Sequence, residues 1–205
     1  MPFKLPLPAA TLLFILLFRV VSACAQDQSD TYVLLPNQQT RITSLPSAVA
    51  DSTSDSAVLT ASVEMIVVEP DVCCGRNSAL ADQVPAAKTL KELGERLRGK
   101  HVLDTGSSIL VTDQYWSGAS VNAEDIVGSL LAKRPLLMDW NSHLYVLDGA
   151  VFDEYRYSSG RVAHVIRKLL LVDTRFSDNR RQVVFDRQKD DWGKVSGLLA
   201  LAITR

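Results

Sequence analysis

The chain has 205 residues, 47% of them hydrophobic and 22% charged, with a formal net charge of -1. That length suits one domain with an appendage. The near-neutral balance removes the electrostatic case for a nucleic-acid partner, and the densest basic stretch, 175–187, is broken by Asp178 and Asp186 and reads as a solvated face.

Residues 1–25 carry the three parts of an export signal. Lys4 supplies the positive start, Leu12 to Phe18 form an apolar run too short to span a bilayer, and Arg19 closes it. Two cleavage readings stand side by side. Ala23-Cys24-Ala25 is an A-x-A site, after which the mature chain begins at Gln26. Val21-Ser22-Ala23-Cys24 resembles a lipobox, in which Cys24 is lipidated and becomes the first residue. An uncleaved anchor would hold Arg19 in the apolar core at a cost of about 2.5–3.5 kcal/mol. The expected location is periplasmic, secreted, or membrane-anchored through a lipid on Cys24, with no other membrane contact. Either cleavage takes Cys24 out of ordinary thiol chemistry. Only the adjacent Cys73 and Cys74 then remain, so no disulfide framework is expected and the domain must rest on its hydrophobic core.

Residues 26–56 are rich in Ser, Thr, Asp, Gln and Pro and predict a polar flexible linker, with a short extended piece at Tyr32-Val33-Leu34-Leu35. The domain is expected over 57–205. Its first segment, 58–68, is apolar and β-branched and predicts a strand or extended lead-in. A short helix follows over 75–83, stopped by Val84-Pro85. Leu90, Leu93 and Leu97 recur at helical spacing within 86–97, with Gly99 as the stop. Short strands flank the turn Asp104-Thr105-Gly106, and Asn122 caps a helix over 123–133. Beyond Pro135 the pattern becomes strands over 136–139, 144–157, 162–173 and 182–186, with breaks at Trp140-Asn141-Ser142, Ser158-Ser159-Gly160 and Ser177-Asp178-Asn179. The last segment, 195–204, is apolar throughout, and periodicity leaves strand and helix both open. The fold class is therefore α+β: a helical N-terminal half packed on an antiparallel sheet.

Three features could carry chemistry. Cys74 opens a predicted helix, where the partial positive charge of unpaired N–H groups favours a thiolate. His143 opens a strand after a turn. Asp173 ends the apolar run Leu169-Leu170-Leu171-Val172. A hairpin centred near Ser158 and Ser159 pairs positions whose numbers total about 316, which sets His143 against Asp173 on one face. Thiol, imidazole and orienting acid make a nucleophile–base–orienter set. No metal or cofactor is expected, since no four-ligand spacing accompanies these residues.

The order Cys74-Gly75, then Arg134-Pro135 through His143 to Gly149, then Leu170-Leu171-Val172-Asp173 resembles the papain-like cysteine peptidases, especially the bacteriocin-processing double-glycine peptidases. The resemblance covers roughly 60–190. It implies a papain-like fold, with Cys74 as nucleophile, His143 as general base and Asp173 as orienting acid, acting on a peptide or envelope protein. The family's oxyanion Gln, about six residues before the Cys, is Val68 here, or Val67 if Cys73 is the nucleophile. Two functions follow as expectations: an exported thiol hydrolase that has kept or lost its chemistry, or a non-catalytic exported binding domain.

Overall fold

Strand β4 (Leu136–Trp140) and strand β8 (Val195–Thr204) are apolar without alternation. Such strands are stable only where both faces are covered. A computed structural model shows this arrangement; it describes residues 30–43, 45, 48–67, 84, 87–102, 106–118, 120–178 and 181–204. Leu136, Met138, Leu198 and Ala200 face one core, while Leu137, Leu199 and Leu201 face another across the sheet. Helices α1 (Asp55–Val67) and α2 (Leu90–Leu97) cover the second core, and α3 (Ala123–Leu131) covers the first.

The remaining strands are β1 (Tyr32–Arg41), β2 (Gly99–Val102), β3 (Ser108–Ser117), β5 (His143–Tyr157), β6 (Val162–Val172) and β7 (Gln182–Asp186). They form one antiparallel sheet in the order β2-β3-β8-β4-β5-β6-β7. β1 also pairs with β5. It takes residues 149–157, and β4 takes 143–147, so the two lie end to end along one edge of the 15-residue β5. The sheet curls. Phe185 on β7 meets Trp140 of β4 edge-on at 5.0 Å between ring centroids, and Trp192, just before β8, at 5.4 Å.

These observations correct the expected fold class. Among the described residues there are eight strands and three α-helices, a largely β fold, and not a helical N-terminal half packed on a sheet in a papain-like layout. Two local misreadings account for it. The polar stretch expected to be linker contains β1, an edge strand held through its backbone, which leaves most of its side chains in water. The β-branched stretch at 58–67 is helical because Val58, Ala61, Ser62 and Met65 recur at helical spacing among its buried positions, with Val63 buried beside them, and Ser54 accepts from the Ala57 N–H at the helix start. The Asn122 cap is as expected, its side chain accepting from the Asp125 N–H at 2.8 Å. The open case, 195–204, is the strand β8. The predicted helix at 75–83 lies outside the described residues. No helix among those described is long and apolar enough to cross a membrane.

Candidate functional site

The β4–β5 connection is a two-residue turn with Asn141 at φ 55° and Ser142 at φ 61°. Both are left-handed, the geometry of a tight hairpin whose twist matches its strands. It sets His143 at the exposed start of β5, opposite Trp140. The starts of α1 and α2 come down beside this turn and enclose a cavity of about 520 Å³ with Lys88, Asp139, His143 and Arg175 among its lining residues. Both helix starts are already capped. In α2, Thr89 accepts from the Glu92 N–H at 3.1 Å, and Glu92 accepts from the Lys88 N–H at 3.0 Å.

Arg175 organises the polar side of the cavity. Its Nε donates to Asp173 Oδ1 at 2.8 Å, its Nη2 to Asp173 Oδ2 at 2.5 Å, and its Nη1 to His143 Nδ1 at 3.2 Å. The backbone N–H of Arg175 adds a further bond to Asp173 Oδ1 at 3.0 Å. Asp173 is 2% exposed, and among the described residues the hydrogen bonds to its carboxylate come from Arg175. The bond to Asp173 raises the Arg175 pKa further. On the other side of His143, burial holds Asp139 above the usual carboxylate range, against the opposing pull of Ser196 and His143. Its Oδ1 is buried without a hydrogen-bond partner.

His143 and Asp173 thus share one network, but the direct pairing expected from the hairpin is replaced by an arginine between them. The register explains why. Leu147 pairs with Leu171 and Val146 with Val172, which continues to Tyr145, not His143, opposite Asp173. The loop turns on Ser158-Ser159-Gly160, with the Tyr157 N–H bonded to the Arg161 carbonyl at 2.9 Å and Gly160 at φ 84°. This moves the centre of the hairpin by one residue. The bulges at Asp148 on β5 and Arg167 on β6 cancel each other in register. Cys74 lies outside the described residues. The sequence reading assigns Arg175 to a solvated basic face and singles out neither Lys88 nor Asp139. The one available signal was an Arg two places after a buried strand-end Asp, the spacing at which a turn folds a side chain back on its neighbour.

Searches against protein families, curated proteins and solved structures find no match for this chain.

Proposed function

We propose that the chain is an exported, non-catalytic binding domain, and that the cleft beside the β4–β5 turn holds a small ligand with an acidic group. The observation that supports this is the Arg175 bridge. A guanidinium has only donors, so the His143 nitrogen facing it must accept, and the neutral ring carries its proton on Nε2. Neither ring nitrogen then offers a free lone pair to take a thiol proton, which is what a cysteine hydrolase needs. The same arrangement presents donors to the cavity: the His143 Nε2–H, the outer N–H groups of Arg175 and the Lys88 ammonium. Carboxylate and phosphate share the chemistry these donors recognise. The export signal read at residues 1–25 supports a domain outside the cytoplasm, free or held by a lipid on Cys24, with a peptide or envelope component as the proposed partner.

Calorimetric titration with acetate, succinate and inorganic phosphate tests this reading. At least one is expected to bind saturably. The exposed substitutions His143→Ala and Lys88→Ala should each weaken it by about tenfold, the loss of one charge-assisted hydrogen bond. No saturable binding, or no loss in either variant, rejects the reading. Iodoacetamide separates it from the hydrolase: Cys74 should label no faster than an ordinary thiol at about pH 6, and rapid labelling would restore the enzyme.

A further inference from the structure

The cavity beside the β4–β5 turn carries both signs of charge. Lys88, His143 and Arg175 supply its donors, and Asp55 and Asp139 are the acids among its lining residues. The two acids differ. Asp139 has its Oδ1 buried and belongs to the wall. Asp55 is the first residue of α1, is exposed, and makes no hydrogen bond or ion pair through its carboxylate among the described residues. Its place in the first turn suits the helix macrodipole. That role uses its charge but no hydrogen bond, so both oxygens remain free to accept one from a ligand.

The same cavity has an aliphatic surface. Val58 and Leu59 contribute to it from α1, Leu90 from α2 and Leu144 from β5. Val58 and Leu90 are buried, while Leu59 and Leu144 are half-buried and offer apolar area to an occupant. The volume, about 520 Å³, lies within the usual range of small-molecule sites and exceeds what one amino acid fills.

Charge and size together select the occupant. A simple anion suits the donors but is repelled by Asp55, and a simple cation suits Asp55 but meets Lys88 and Arg175. A molecule with an ammonium at one end and a carboxylate at the other satisfies both. We propose that this cavity binds a short free peptide of two or three residues by both of its ends. The N-terminal ammonium donates to Asp55, the C-terminal carboxylate accepts from the His143 Nε2–H and Lys88, and an aliphatic side chain packs on Leu59 and Leu144. An α-amino group has a pKa of about 7.7–8.0, so the peptide carries both charges near neutral pH. The inference rests on the acidic-ligand reading above and adds to it the ammonium end and the apolar side chain.

The probe is leucyl-leucine, compared in calorimetry on the purified chain with acetyl-leucyl-leucine, which lacks the ammonium, and leucyl-leucinamide, which lacks the carboxylate. The free dipeptide is expected to bind saturably. Each blocked form should bind about tenfold more weakly, having lost one charge-assisted pair. Asp55→Asn, an exposed change of nearly the same shape, should weaken the free dipeptide by about tenfold and leave acetyl-leucyl-leucine unchanged, since that peptide has no ammonium to lose. The comparison among peptides uses the unaltered chain and does not depend on the variant folding. Equal binding of the free and acetylated dipeptides, or an equal loss of both in Asp55→Asn, overturns the proposal and leaves the acidic-ligand reading standing. Saturable binding of acetate, succinate or phosphate without binding of leucyl-leucine does the same. Equal binding of leucyl-leucinamide, or no binding of any of these probes, overturns both.

Discussion

Arg175→Ala is expected to lower the unfolding free energy by about 3–5 kcal/mol, the usual cost of removing one partner of a buried ion pair. Asp173 is 2% exposed, and among the described residues two of the three hydrogen bonds to its carboxylate come from the Arg175 side chain. Without that side chain the carboxylate keeps, among the described residues, the backbone N–H of position 175. The segment that carries the pair is packed under α1. The Thr174 hydroxyl lies 3.2 Å from the buried Ser62 hydroxyl, and the Thr174 carbonyl accepts from the Ala50 N–H at 2.9 Å. Urea unfolding followed by circular dichroism measures the loss. Adding Asp173→Asn to the variant should recover part of it, since the stranded charge goes while its shape remains. A loss below about 1 kcal/mol, the range of an exposed ion pair, would show that the pair is not the anchor of this loop.

Phe185→Ala should cost about 3–5 kcal/mol, in the range for truncating a fully buried phenylalanine. Phe185 is 0% exposed although it belongs to β7, the strand at the edge of the sheet. Its ring closes the concave core between Trp140 and Trp192. Trp192 is itself fixed there by its Nε1–H, which donates to the Gly118 carbonyl at 3.0 Å. Removing the ring therefore opens the seam where the ends of β3, β4 and β7 meet the start of β8. Tryptophan fluorescence should shift to longer wavelength in the same variant, as Trp140 and Trp192 gain water. Its neighbour Val184 points outward and is 49% exposed, so Val184→Ala should stay within about 0.5 kcal/mol. Similar losses at the two positions would contradict a curled sheet.

The second half of the fold is legible because its segments state their period clearly. The strands between Pro135 and Asp186, their breaks, and the Asn122 helix all follow from short-range signals that tertiary structure then reinforces, whereas 195–204 stays ambiguous because it is apolar on both faces. The first half misleads for a physical reason. Val58 to Val67 has β-branched residues at many positions, and only the pattern of burial, set by the sheet beneath, reveals that a helix suits it. β1 carries an apolar signal only at Tyr32 to Leu35, where the extended piece is expected; its polar second half is specified by backbone pairing to a partner far along the chain. The site was half legible. His143 and Asp173 do converge, but the argument that joined them depended on a turn length, and one residue in a turn displaces every pair above it. Arg175 stayed hidden because a charged residue in a polar stretch looks like surface until the buried acid beside it is seen.

The position of β1 also fixes an order of events. Arg41 meets Asp148, 107 positions later, and among the described residues β1 has no sheet partner except β5. β3 likewise waits for β8, the last strand of the chain. In an exported chain the N-terminal strand would be among the first to leave the cell's interior, and it would remain unpaired until most of the polypeptide had followed. Closing so long a loop carries an entropy cost that only the finished sheet offsets. Folding would therefore come after translocation, and in that interval β1 and β3 would expose open strand edges, which favours a chaperone on the receiving side.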